Sequence, residues 1–287
     1  MKRNLLKVIE EKMPTFSKGQ KRIAAYVIEN YDKAAYMTAS KLGTIVDVSE
    51  STVVRFADEL GFSGYPEFQH SLREIARTKL TSFQRVEVAN NIIGDADILT
   101  KVLMLDSEKI KHTLEGIDRD AFNATVDKII GAKNIYILGV RSSSYLAGFL
   151  NYNLRMIFDN VRLVSTTSGS EMFEEIMSIG ADDVMVAISF PRYSKRIINA
   201  VNFAKAAQCD VIAITDSDLS PIAKQADQVL VAESDMVSFV DSLTAPMSII
   251  NAIVVAVAKK KQDELSVRLR MLEEIWDEYD VYDKTGE

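Results

Sequence analysis

The chain is 287 residues long, 47% hydrophobic and 26% charged, an ordinary balance for a soluble globular protein with a real core in one or two domains. One cysteine, Cys209, rules out an internal disulfide and points to a reducing compartment, and two distant histidines, His70 and His112, supply no His/Cys metal site. No apolar leader opens the chain, and its longest apolar run, Ile249 to Ala258, is about half a membrane span, so a cytoplasmic protein with no membrane partner is expected.

The net charge of -7 hides an asymmetry. Residues 1–80 carry 13 Lys and Arg against 10 Asp and Glu, whereas the remaining 207 carry 21 against 31. A mildly basic head on an acidic remainder suggests two jobs. The head shows helical periods only. "SKGQKRIAAYVIENY" sets Ile23, Tyr26, Val27 and Tyr31 on one face, with Ser17 as cap. In "TASKLGTIVDVSESTVVRFADELG" the spacing predicts a helix over about Thr38 to Val46 and a tight turn at Asp47, Val48 and Ser49. A second helix follows, capped by Ser49 and ended by Gly61. "YPEFQHSLREIARTKL" starts another, with Pro66 tolerated in its first turn.

That spacing is the spacing of a helix-turn-helix. Leu42, Val48, Val53 and Phe56 sit where its two helices must pack on each other. The outward face of the second helix carries Ser51, Thr52 and Arg55. Hydroxyls and helix N-termini suit phosphates, and Arg suits a guanine edge, so Lys41, Ser49, Ser51, Thr52 and Arg55 are the candidate contacts to double-stranded operator DNA. Glu50, Asp58 and Glu59 are expected to face away or to reject other sequences. An ordinary helical bundle with capped ends fits the same spacing. Two positions depart from the ideal motif: Asp47 replaces the usual turn Gly, tolerating the left-handed conformation, and Gly43 replaces a small Ala.

Residues 81–95 have no period and form the expected linker; helical patterning resumes from Ile98 to about Gly116 and from Asp120 to Ile130. Then the period changes. "NIYILG", "VRLVS", "DVMVAIS", "DVIAITD" and "DQVLVA" are short β-branched runs between helix-length segments, the pattern of βαβ units around a parallel sheet. The fold class expected is therefore an all-α head (1–80) and an α/β three-layer sandwich with a five-stranded parallel, flavodoxin-like sheet (96–262). A helix from about Ser242 to Lys261 closes the sandwich, and a tail (263–287) adds one more. The tail's Leu265, Leu269, Leu272, Ile275 and Tyr279 make an apolar stripe that packs on a domain or on a second subunit.

Two turns carry the chemistry. "GVRSSS" follows the first strand at Gly139, where a helix N-terminus favours an anion; lacking the glycines of a dinucleotide loop, it implies no nucleotide cofactor and suits one terminal phosphate. "SFPRYS" follows the third strand in the same way. If those strands are neighbours, Ser142, Ser143, Ser189 and Ser194 converge on one crevice with Arg141, Arg192 and Tyr193 beside them. Helix caps alone would explain one such cluster. Glu233 at the end of the fifth strand is a candidate for sugar hydroxyls; Ser168, Glu171, Asp216 and Ser242 are further candidates, with Glu171 read mainly as a helix-start carboxylate.

From "ASKLG" through "VSESTVVRF" to "LGFSGYPEF", the head resembles the DNA-binding domain of the MurR/RpiR family of bacterial transcription regulators. That resemblance implies a helix-turn-helix joined to a SIS (sugar isomerase) domain, a homodimer or homotetramer, and a phosphorylated sugar as effector. The SIS phosphosugar site has a Gly-x-Gly-x-Ser turn and a Ser-x-Ser-Gly-x-Thr turn. Gly139, Ser142 and Ser143 fall on the first, with Arg141 in place of its second Gly; Ser189 and Ser194 fall on the second, with Pro191 and Arg192 replacing its middle Ser and Gly. SIS domains also serve isomerases, which need a base. No His lies in the strand-bearing segment, so a sensor rather than an enzyme is expected, with a phosphosugar isomerase as the alternative.

Overall fold

The structure is a computed structural model that describes residues 5–79, 81, 83–86, 97–166, 168–236 and 239–282. Most of the expected linker (81–95), residue 82 and residues 87–95, lies outside the described residues. The chain forms two compact units, Met1–Val102 with Asp235–Asp241, and Leu103–Ser234 with Ser242–Glu287.

The first unit is helical: α1 (Leu5–Lys12), α2 (Lys18–Glu29), α3 (Tyr31–Ala34), α4 (Ala39–Ile45), α5 (Glu50–Glu59) and α6 (Tyr65–Lys79). Ser17 opens α2 through a reciprocal capping box, its side chain accepting from Gln20 N while Gln20 Oε1 accepts from Ser17 N at 2.9 Å. Thr38 caps α4 and Ser49 caps α5, each accepting from the backbone N–H three residues on. Between them Asp47 turns the chain at φ 51°, the left-handed value that Asp accepts more readily than most residues, and its carboxylate meets Arg22 at 2.9 Å. A Cβ on Gly43 would stand 2.8 Å from Val48 O, so the closeness of α4 to the turn excludes even the Ala usual there. Leu42, Val53 and Phe56 are fully buried where the two helices meet, and Phe56 lies between Phe16 and Phe68 with ring centroids 5.2 and 5.7 Å away. Arg85, from the expected linker, is buried in this same unit, 2.9 Å from Asp241.

The second unit begins within α7 (Ile98–Gly116) and continues through α8 (Arg119–Gly131) into a sheet of β1 (Ile135–Gly139), β2 (Val161–Val164), β3 (Val184–Ile188), β4 (Asp210–Thr215) and β5 (Gln228–Val231). All pairings are parallel, in the order β2-β1-β3-β4-β5. Helices α9 (Ser143–Arg155), α10 (Gly169–Ile176), α11 (Lys195–Ala206), α12 (Thr244–Lys260) and α13 (Gln262–Glu278) complete it. The strand period divides the core. Ile135, Ile137, Val184, Val186, Ile188, Ile212 and Ile214 join the layer under α8, α9 and α12, while Tyr136, Leu138, Met185, Ala187, Val211 and Ala213 join that under α10 and α11. Residues of the central strands β1 and β3 are buried on both faces, each large side chain contributing about 1.5–3 kcal/mol, which is why these runs are apolar without a polar alternate. Cys209 is a free, buried thiol whose pKa burial pushes up to about 12, with the Asp183 and Asp210 carboxylates adding to the shift.

The tail helix differs from its expected stripe. Leu265 and Leu272 are half-buried together with Arg268 and Trp276, but Leu269, Ile275 and Tyr279 face solvent. On the half-buried side Arg268 reaches Asp159 at 2.5 Å, a pairing that holds the Asp159 carboxyl below the usual range.

Candidate functional site

On the first unit, α5 presents Ser51 and Arg55 to solvent with Thr52 half-exposed, and Lys41 is exposed on α4. Ser49 Oγ lies 2.9 Å from Ser51 Oγ and 2.8 Å from Thr52 Oγ1, a hydroxyl cluster over the first N–H groups of the helix. Arg55 Nε donates to Ser51 O at 3.3 Å, which lays the guanidinium along the helix toward that cluster. Hydroxyls, a helix N-terminus and the guanidinium of Arg55 form a set suited to a phosphate backbone and a base edge. The acidic neighbours Glu50, Asp58 and Glu59 are all exposed, and Glu59 accepts from Gln20 Nε2 at 2.5 Å.

On the second unit, the strand order reverses between β1 and β3. Their register sets Gly139 opposite Ile188, so the two serine turns leave the sheet side by side. Gly139 is required there. A Cβ would stand 2.4 Å from Ser143 O and 3.1 Å from Ala147 Cβ, because α9 starts hard against the strand it follows. Arg141 then turns left-handed at φ 57°, and Ser144 Oγ donates to Arg141 O at 2.6 Å. Ser142 stands at the N-cap position of α9 without spending its hydroxyl on a cap, and Ser143 is buried in the first turn. The second turn repeats this build: Arg192 is left-handed at φ 65°, and the largely buried Ser189 accepts from Thr215 Oγ1 at its carbonyl, at 2.7 Å. Both arginines therefore keep, at a cost of about 1–2 kcal/mol each, the backbone shape that glycine provides freely.

The remaining candidates separate. Ser194 caps α11, accepting from Arg196 N at 3.3 Å. Tyr193 donates its hydroxyl to the Asp216 carboxylate at 2.9 Å, and Thr215 Oγ1 lies 3.2 Å from the same carboxylate, so Asp216 fixes the second turn from the end of β4. Glu171 takes the Thr166 hydroxyl at the start of α10, the structural place expected of it, and Ser168 Oγ lies 2.9 Å from Ser170 Oγ. Ser242 is turned to α7, donating to Asp106 Oδ1 at 2.6 Å. Glu233 is half-buried past β5, its N–H donating to Thr113 Oγ1 at 3.0 Å and its carboxylate 2.9 Å from His112 Nδ1. His112 thus reaches the strand ends although it precedes every strand. Nothing in the sequence signalled this, because α7 turns polar Lys109 and Thr113 inward while Leu103, Met104 and Leu114 stay exposed.

A helix-turn-helix head followed by a parallel three-layer sandwich defines the class: DNA-binding regulators with a ligand-type α/β domain. Comparison with known proteins narrows it. Residues 3–78 match the helix-turn-helix domain of the rpiR family and residues 128–256 match the SIS domain. An HTH-type transcriptional regulator of Clostridium perfringens is 28% identical over 79% of this chain and 80% of its own. The HTH-type transcriptional regulator HexR of Pseudomonas aeruginosa is 22% identical over 95% of each. The fold is shared with the Vibrio vulnificus NanR protein complexed with ManNAc-6P, at a TM-score of 0.59 and 21% identity over 96% of this chain and 98% of that one. The chain belongs to the RpiR family of helix-turn-helix transcriptional regulators.

Proposed function

We propose that this regulator senses a phosphorylated sugar at the crevice between β1 and β3 and transmits its occupancy to operator binding. The observation that supports this is the pairing of Gly139 with Ile188, from which two hydroxyl-bearing, helix-starting turns leave neighbouring strand ends. Ser142, Ser143 and Ser189 with the N-terminus of α9 receive the phosphate, Arg141 and Arg192 add charge, Tyr193 and Ser194 shape the second wall, and Glu233 reads sugar hydroxyls. Lys41, Ser49, Ser51, Thr52 and Arg55 form the DNA face. The protein works in the cytoplasm as a homodimer or homotetramer, the exposed apolar residues of α7 being the kind of surface that a second copy covers. Effector and operator binding are coupled by about 1–3 kcal/mol, a factor of roughly 5–150 in affinity.

A thermal-shift panel headed by ManNAc-6P and including unphosphorylated sugars tests this. One phosphosugar should raise the midpoint, and Ser143→Ala should abolish that rise; stabilisation by unphosphorylated sugars alone would refute the phosphate reading. The isomerase reading is favoured by one observation, the His112–Glu233 pair, which could move a proton between sugar carbons. We place it second because the head is a DNA-binding one. Incubation with the stabilising sugar decides between them: turnover makes the protein an enzyme, and altered operator affinity without turnover makes it a sensor.

A further inference from the structure

We propose that the first two turns of α2 are a second arm of the DNA face, on which Lys18, Lys21 and Arg22 hold backbone phosphates beside the helix-turn-helix. This rests on the DNA face proposed above and extends it to a helix outside the motif. Gly19 sets the arm in place. A Cβ there would stand 3.4 Å from Val48 Cγ1 and 3.5 Å from Thr52 Cγ2, so the start of α2 lies against the tight turn and against the hydroxyl cluster that opens α5. At about 100° per residue, Arg22, Lys18 and Lys21 fall roughly 60°, 100° and 160° from Gly19 in one direction, and all three are exposed. The buried Ile23, Val27 and Ala24 fall roughly 40°, 80° and 140° in the other direction. The packed side of the helix and its cationic side therefore meet at the residue that touches α5.

From Ser17 to Arg22 the sequence carries three cations and no carboxylate. The arm acts through these side chains, since Ser17 already accepts the Gln20 N–H at the helix start. Carboxylates of the motif reach α2 at two places. Glu59 meets Gln20 Nε2, on the side away from the lysines, and Asp47 meets Arg22 at 2.9 Å. The Arg22 and Asp47 side chains are 47% and 96% exposed, and so exposed a pair contributes little to stability, so a phosphate displaces the carboxylate at small cost. Glycine would adopt the φ of 51° freely. What Asp47 adds to the turn is a charge that occupies Arg22 while no DNA is bound.

Fluorescence anisotropy of the full chain on a labelled duplex of random sequence, between about 50 and 200 mM salt, tests the arm without knowledge of the operator. Each lost phosphate contact takes about 0.9 from the slope of log affinity against log salt. Lys18→Ala and Arg22→Ala should each do so, the parent's advantage over either variant shrinking about 3.5-fold across that range. Weaker binding at an unchanged slope marks a structural role and overturns the arm, as does unchanged binding by both variants. Asp47→Asn, whose side chain keeps the left-handed turn, should strengthen binding by up to about fivefold, and by much less when Arg22→Ala is also present. Equal gains in the two backgrounds overturn the exchange at Arg22. Lys41→Ala separates the arm from the face it extends: a loss there, with none at Lys18 or Arg22, overturns the arm alone, and a parent that binds no duplex overturns the DNA face with it.

Discussion

Gly139 and Gly148 lie nine residues apart, at the strand end before α9 and inside that helix, and an alanine at each should act in opposite directions. At Gly139 the new Cβ falls 2.4 Å from Ser143 O, whereas real Cβ contacts stay beyond about 3.0 Å, so α9 or β1 must shift by about 0.6 Å. The obstacle is backbone, which cannot swing aside like a flexible side chain. Such overpacking costs about 1–3 kcal/mol, and for a unit of this size each kcal/mol lowers Tm by about 2–4 °C. At Gly148 nothing stands within 4 Å of the added carbon, so Ala gains helix propensity, stabilising by up to about 1 kcal/mol. Urea denaturation followed by fluorescence of Trp276, the single tryptophan, which lies in the second unit, reads both. The Gly139 variant should also lose the effector-induced thermal shift while the Gly148 variant keeps it. Equal stability of Gly139→Ala and the parent, or a loss at Gly148 as large as at Gly139, would refute the reasoning.

Other outcomes follow from single residues. Arg55→Ala should weaken operator binding by about 1–3 kcal/mol in a gel shift and relax specificity at one base, whereas Lys41→Ala should weaken all sequences alike and flatten the salt dependence. Arg141→Gly should raise stability by up to about 1 kcal/mol by relieving its left-handed backbone, while lowering affinity for the phosphosugar. Cys209 should stay inert to thiol reagents in the native chain. Its folded pKa of about 12 lies above the ordinary 9.0, so the folded state holds this proton more tightly than the unfolded state does. That contribution is complete below pH 9 and is lost as pH rises toward 12, by up to about 1.4 kcal/mol per pH unit; Cys209→Ala should flatten the fall measured by urea titration between pH 8 and 11.

The sequence was most legible where one local rule dominates. Five β-branched runs at helix-length intervals led to five parallel strands, and Ser49 with Asp47 led to a cap and a left-handed turn, because each follows from neighbouring residues. The neighbouring of β1 and β3 stood only as a condition, since strand order depends on crossovers that no local pattern encodes. The left-handed backbones of Arg141 and Arg192 could be sensed only through the glycines expected there. His112 beside Glu233, 121 positions apart, was illegible, as was the rotation of α13, since which side of a helix meets its own unit depends on packing that no local pattern encodes.

The hydroxyls at the start of α5 already satisfy one another, Ser49 holding both Ser51 and Thr52. On the proposed DNA face a phosphate would exchange one set of hydrogen bonds for another, so those serines and the threonine would set the angle at which the helix enters a groove while adding little net affinity. The strength of the grip would then reside in the cations, and a rise in ionic strength should loosen the protein from DNA.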